Sequence, residues 1–198
     1  MSIHTQHRRS IYPHPPVSPQ TVRYVPATEI EAGETYLIGY TTGTDAYLIM
    51  NYNADPLTSA YETSSYRYIY SSTYYAYGVK AVLDSSGNVI DVDRSIYPDA
   101  NIEDTEWNFI ATSKGYKIRS AKEPSRYLRA HANSSYAHLY VDSSYYNAAD
   151  WNYSQRRMSY KLSNGSTKYI SYVPTVNGYQ NFFKAWTTVG TVVLYKKM

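Results

Sequence analysis

The sequence predicts an all-β body of three repeats behind an extended N-terminal arm. Three observations carry this expectation. From Glu34 onward, short strand-like runs follow one another with turn signals between them, and no segment holds a 3.6-residue apolar period. A Trp-Asn-aromatic element recurs at Trp107 and Trp151, 44 residues apart. Five prolines (Pro13, Pro15, Pro16, Pro19, Pro26) crowd residues 1–28 and disfavour helix there.

The strand-like runs are Tyr36–Thr41, Ala46–Asn51, Tyr66–Tyr70, Tyr74–Leu83, Val89–Val92, Glu106–Ala111, Tyr116–Ser120, Tyr127–Ala130, His138–Val141, Trp151–Tyr153, Ser159–Leu162, Tyr169–Val173, Phe182–Thr187 and Thr191–Lys196. Turn residues separate many of them: Thr42-Gly43-Thr44-Asp45, Ser85-Ser86-Gly87-Asn88, Ser113-Lys114-Gly115, Asn164-Gly165 and Asn177-Gly178. Many short strands with regular turns suit a barrel, a sandwich or a trefoil.

The spacing of the repeat chooses among these. Nine residues after each Trp comes a Tyr-Lys-aliphatic triplet, Tyr116-Lys117-Ile118 and Tyr160-Lys161-Leu162. A Tyr-aliphatic pair follows in each copy, Tyr127-Leu128 and Tyr169-Ile170, and the first copy opens earlier with Tyr36-Leu37-Ile38 and Tyr47-Leu48. From Tyr116 to Trp151 is 35 residues, and from Tyr160 to Leu194 is 34. From Tyr36 to Trp107 is 71, so the first copy carries about 36 extra residues within 50–104. Three copies of about four strands predict a β-trefoil-like body over 29–198. Trp107, Trp151 and Leu194 are its expected core plugs, and Thr191–Lys196 is expected to close the seam against the first strand.

Composition bounds the function. Apolar residues make up 43%, enough for a core, while charged residues are only 18% and mean hydropathy is -0.53. Surface polarity must therefore come from hydroxyls and amides. Tyr dominates, with 26 against 3 Phe and 3 Trp, and Tyr favours strands and flat contact surfaces. A net charge of +3 with only three basic doublets (Arg8-Arg9, Arg156-Arg157, Lys196-Lys197) argues against nucleic-acid binding, which needs clustered cations. The absence of Cys leaves the compartment open. Met1–Pro26 has no apolar stretch of the signal-peptide kind, and no apolar run reaches membrane-spanning length, so neither export signal nor membrane insertion is expected.

The arm, residues 1–28, is expected to dock on a neighbouring subunit. Its candidate contacts are Arg8, Arg9, Ile11, Tyr12 and Tyr24, apolar and cationic anchors that a linker would not need. His4 and His7 lack a carboxylate partner and are not read as metal ligands.

A resemblance follows from the ordered motifs. Glu34-Thr35-Tyr36-Leu37-Ile38, Tyr74-Tyr75-Ala76-Tyr77-Gly78-Val79, Glu106-Trp107-Asn108-Phe109, Gly115-Tyr116-Lys117-Ile118, Arg126-Tyr127-Leu128, Asn181-Phe182-Phe183 and Val193-Leu194-Tyr195-Lys196-Lys197 together resemble a repeat module of large surface proteins of gut Firmicutes and of their phages. The likeness covers residues 33–198. The module also resembles, distantly, ricin-type β-trefoil lectins, but Thr105 and Ala149 stand where those lectins carry the Gln of Gln-x-Trp. The resemblance implies a non-enzymatic structural or binding module. Joined to the arm and to the expected lack of an export signal, it implies a virion protein, a capsid decoration or fibre-type subunit. Its partners would be other virion proteins or itself in a lattice. The alternative is a bacterial surface or secreted carbohydrate-binding module that contacts a cell-surface glycan.

Candidate chemistry is sparse, and no enzyme activity, cofactor or metal is expected. Asp91-x-Asp93 lacks the glycine turn and distal Glu of a calcium loop. Glu103-Asp104 reads as a solvated turn. His131 and His138 bracket a loop without an acidic partner or nucleophile motif. The expected binding surface lies in the enlarged first copy, at Tyr61, Tyr66, Tyr68, Tyr70, Tyr74 and Tyr75, of which Tyr66, Tyr68 and Tyr70 share one strand face. Tyr136, Tyr140, Tyr145 and Tyr146 form a second patch.

Overall fold

The computed structural model describes residues 22–51, 76–130, 139–143, 149–176 and 179–198. Over these residues the chain is all-β, with fourteen strands and one 3-10 turn at Ile102–Thr105. The strands are β1 (Tyr24–Ala27), β2 (Thr35–Thr42), β3 (Asp45–Ile49), β4 (Ala76–Leu83), β5 (Val89–Val92), β6 (Glu106–Thr112), β7 (Gly115–Ser120), β8 (Tyr127–Ala130), β9 (Leu139–Asp142), β10 (Trp151–Ser154), β11 (Arg157–Lys161), β12 (Thr167–Val176), β13 (Tyr179–Trp186) and β14 (Val193–Lys197). The expected runs within the described residues become strands, with ends shifted by at most three residues. The run Tyr66–Tyr70 lies outside the described residues.

All fourteen strands join one antiparallel network. Six are linked in succession: β14 pairs with β2, β2 with β6, β6 with β7, β7 with β10 and β10 with β11. The Val192 N–H donates to the Arg156 carbonyl at 2.8 Å, which ties the segment before β14 to the β10–β11 turn. Three of the six, β2, β7 and β11, continue into pairs outside the succession. These are β3–β4, β8–β9 and β12–β13. The expected seam is present, since β14 pairs along β2 from Lys196↔Tyr36 to Val193↔Gly39.

The equal spacing of Trp107–Tyr116 and Trp151–Tyr160 does not produce equal registers. Trp151 stands opposite Tyr160, but Trp107 stands opposite Ser120, four residues past Tyr116. The turns differ: Thr112 pairs with Gly115 in one hairpin and Ser154 with Arg157 in the other. The offset is even, so both indoles keep the same face, because a strand's side-chain period is two.

Two apolar clusters fill the body. One gathers Trp107, Trp151, Leu194, Tyr36, Ile38, Ile118, Leu128 and Ile170; the other gathers Tyr24, Leu37, Leu48, Tyr77, Val79, Val89, Phe182 and Tyr195. β2 separates them, sending Tyr36 and Ile38 into the first and Leu37 into the second. Burial on both faces explains why Tyr36-Leu37-Ile38 is apolar without alternation. β4, inside the segment expected to hold the insertion, belongs to the body: it pairs with β3, β5 and β13.

β1 is also part of the body. It pairs with β14 over four residues, from Tyr24↔Lys197 to Ala27↔Leu194, and touches β5 at Tyr24↔Val89. The folded body therefore includes residues 24–27 of the segment expected to be arm.

Trp107 and Trp151 are fully buried, both at 0% exposure. Each indole N–H is satisfied by a carbonyl, Trp107 by Ile49 and Trp151 by Leu128, both at 3.2 Å. Trp107→Ala is expected to lower unfolding free energy by about 3–5 kcal/mol, measured by urea denaturation. A loss below about 1 kcal/mol would contradict a plug role. The β10–β11 turn places Gln155 and Arg156 at φ 51° and 59°, where non-glycine residues are disfavoured. Replacing the pair with Asn-Gly is expected to stabilise by about 1–2 kcal/mol, read as a raised Tm.

Candidate functional site

The described residues present three polar features: a buried junction at the seam and two open clefts. The junction centres on Glu106, which is buried at the start of β6. Its Oε1 accepts from the Tyr24 hydroxyl at 2.5 Å and from the Lys197 ammonium at 2.6 Å. Asn51 braces the same strand start by donating its side-chain N–H groups to the carbonyls of Glu103 and Glu106. Asp104 joins in: its carbonyl accepts the Asn51 N–H, and its carboxylate pairs with Lys122 and caps Asn101. The expectation of a solvated turn at Glu103-Asp104 therefore holds for Glu103, which is exposed, and fails for Asp104, which is buried. The signal was present in sequence, as Asn101 and Asp104 stand at capping-box spacing around the 3-10 turn.

Every polar group of this junction has a partner, so burial is tolerable. Burial, reinforced by the hydrogen bond to Glu106, pushes the Tyr24 hydroxyl far above the ordinary tyrosine range.

Of the residues expected to dock the arm, only Tyr24 is described, and its ring is buried in this chain's own core. Arg8, Arg9, Ile11 and Tyr12 lie outside the described residues, as do His4 and His7. The same holds for Tyr61, Tyr66, Tyr68, Tyr70, Tyr74 and Tyr75, for Tyr136, Tyr145 and Tyr146, and for His131 and His138. Asp91 and Asp93 do not converge on a common point. Arg94 binds both oxygens of Asp91 at 2.8 and 2.9 Å, and Asp93 accepts from the Ser95 N–H. The Arg94 hydrogen bond holds the Asp91 carboxyl below the usual carboxylate range. Among the described residues no three His, Asp or Glu side chains group as metal ligands.

The first cleft, about 470 Å³, lies at the junction of β7, β10 and β11 and is lined by Lys114, Asp150, Asn152, Tyr160, Lys161 and Ser163 among others. Asp150 is already occupied, accepting from the Thr112 hydroxyl at 2.9 Å and pairing with Lys117 at 3.5 Å. Gly115 makes this junction possible. A Cβ there would lie 2.3 Å from the Trp151 carbonyl, and φ is 135°.

The second cleft, about 380 Å³, opens between β2, β12, β13 and the 187–191 loop. Its tyrosine wall is fixed by stacking. Tyr172 lies between Tyr40 and Tyr47, with ring centroids 4.8 and 4.9 Å away and planes within 14° and 19° of parallel. Phe183 meets Tyr172 edge-on, and the Tyr172 hydroxyl donates to Asn181 Oδ1 at 2.7 Å. Burial, with Tyr47 beside it, raises the Tyr172 hydroxyl's pKa. This aromatic set was missed at the sequence level, because Tyr172 lies far along the chain from the Tyr40–Tyr47 pair and each sits in an ordinary strand pattern. The first cleft presents hydroxyl, amide, ammonium and carboxylate groups, and the second hydroxyl and ammonium groups.

Comparison with protein-family models, with curated proteins and with solved structures finds no match for this chain.

The raised Tyr24 pKa fixes the sign of one pH effect. Folding favours the protonated phenol, so its stabilisation is complete below the unfolded value of about 10 and is lost as pH rises above it. Thermal melts between about pH 9 and 11 should fall more steeply for the native chain than for Tyr24→Phe. The slope left in the variant would come from Tyr153, Tyr172 and Tyr195, which burial also raises, and from Lys80 and Lys196, raised by their hydrogen bonds to Asp45 and Glu31. Equal slopes in the two proteins would contradict the Tyr24 assignment.

Proposed function

We propose that this chain is a non-enzymatic docking module: a bacteriophage virion structural protein, of capsid-decoration or fibre type, with a β-trefoil-like body. Its partners in this reading are other virion proteins or further copies of itself. The observation that carries the docking role is the attachment of β1. It is held on one side by β14 and on the other by β5, and its Tyr24 is locked to Glu106 inside the core. A segment pulled from its N-terminal side would load the four-residue β1–β14 ladder and the Tyr24–Glu106 bond. That is the mechanical requirement for an arm that fastens a body to a particle. In this reading the docking arm is the part of residues 1–28 that precedes β1, with Arg8, Arg9, Ile11 and Tyr12 as contacts, and Tyr24 is its anchor in the body.

The trefoil reading rests on pairing order and on repetition. The succession β14–β2–β6–β7–β10–β11 alternates the first and last strands of three units, and each unit adds one outer hairpin. In the first two units a Trp from the last strand donates to a carbonyl of the second strand, Ile49 or Leu128. β5 and β1 are additions to that scheme on the first unit's side.

A second reading, a surface or secreted carbohydrate-binding module, is favoured by the tyrosine-walled cleft bordered by Ser171, Thr188 and Thr191. The two readings separate by location. Peptides of this chain are expected in density-purified phage particles, in stoichiometric amounts, by quantitative mass spectrometry. Deleting residues 1–21 should remove it from those particles while leaving the Tm of the body within about 2 °C. Recovery only with the cell envelope or medium would overturn the virion reading and leave the second.

A further inference from the structure

We propose that the cleft between β2, β12, β13 and the 187–191 loop binds a carboxylated sugar, with Lys184 receiving the carboxylate. This rests on the carbohydrate-binding reading and assigns it a site and a ligand class. The argument begins with charge. The cleft is lined by one ammonium, Lys184, by the hydroxyl residues Ser171, Thr188 and Thr191, and by Tyr40 and Tyr172; it holds no carboxylate. Lys184 has no hydrogen-bond or ion-pair partner among the described residues, unlike Lys80, Lys117, Lys122, Lys196 and Lys197, each of which pairs with an Asp or Glu. A single unneutralised cation within a partly enclosed wall favours a ligand with one negative charge.

Placement supports this. Ser171 and Lys184 are directly opposed across β12 and β13, so their side chains stand side by side on one face. They set a hydroxyl and a flexible ammonium beside each other, so a carboxylate and a neighbouring hydroxyl of one sugar ring can be met together. The volume, about 380 Å³, lies in the range of small-molecule sites, about 300–1,000 Å³.

The site is also pre-formed. Tyr172, which projects from β12 to the face opposite Ser171 and backs the cleft from the core side, cannot swing, because it is stacked by Tyr40 and Tyr47 and its hydroxyl is tied to Asn181. Asn181 itself is held at φ 68°, a conformation that disfavours side chains, and it stays there while buried and bonded to Tyr172. The opposite wall is seated as tightly. A Cβ on Gly190 would lie 2.3 Å from the Ile170 carbonyl and 2.4 Å from Ser171 Oγ, so the 187–191 loop rests directly on β12. Val189 stays half exposed on that loop, an apolar group available to a sugar's C–H face. Rigid walls lower the ordering cost of binding a small polar ligand.

The test is an NMR titration of the full chain, its amide shifts followed with glucuronate, N-acetylneuraminate, glucose and N-acetylglucosamine. At least one acidic sugar should shift the amides of 171–172, 184 and 188–191, and should bind about tenfold more tightly than the neutral sugars. Lys184→Gln should remove that tenfold preference, Lys184→Arg should keep most of it, and added salt should weaken it. Amide dispersion identical to the native chain verifies that the variants fold. Neutral sugars binding this cleft equally well in native chain and Lys184→Gln would overturn the acidic-ligand assignment while leaving a carbohydrate module. Failure of all four sugars to shift these amides would overturn both.

Discussion

Two indole rings are the constraint around which the other strands are arranged. Trp107 and Trp151 are the largest side chains in the core, and both are fully enclosed. A buried indole must place its N–H on an acceptor, or lose the free energy of an unsatisfied donor. Each solves this in the same way, donating to a carbonyl of another strand, Trp107 of β6 to Ile49 of β3 and Trp151 of β10 to Leu128 of β8. Leu194 of β14 is equally buried in the same cluster and has no N–H to satisfy, so its constraint is steric alone.

A second constraint closes the chain. β14 lies between β1 and β2, so the last strand depends on both sides on the first part of the sequence. The joint is locked by Glu106, a buried carboxylate whose partners come from β1 and β14. Such a group is a specificity device more than a source of stability. An apolar residue at Glu106 would fill the space, but it would not require Tyr24 and Lys197 to meet.

Much of the strand pattern was legible because tyrosine and β-branched residues were punctuated by glycine turns. Gly43, Gly87 and Gly165 each sit at positive φ in a turn anticipated from sequence. The β10–β11 turn was not legible, since Gln155 and Arg156 adopt left-handed conformations without any glycine to announce it. The strand character of Tyr24–Ala27 was hidden by Pro26 and by the prolines before it. Pro26 is tolerated in a strand only where its missing N–H is not needed. Trp107, Trp151 and Leu194 were identified as plugs from spacing alone. The Tyr40–Tyr172–Tyr47 stack was not, because Tyr172 joins a β2–β3 hairpin pair from a distant strand and no local pattern encodes such a meeting. Six tyrosines chosen for their density, Tyr61 through Tyr75, lie outside the described residues.

The central claim is that two buried, hydrogen-bonded indoles, Trp107 and Trp151, anchor the strand network while the third Trp does not. Trp186 is only partly buried, and among the described residues its indole N–H has no acceptor. Hydrogen exchange of the three indole N–H groups, followed by ¹⁵N-resolved NMR, tests this directly. The account predicts that the Trp107 and Trp151 indoles exchange only through global unfolding, with protection equal to that of the core amides, while Trp186 exchanges much faster. Rapid exchange at either Trp107 or Trp151 in the folded protein would contradict it.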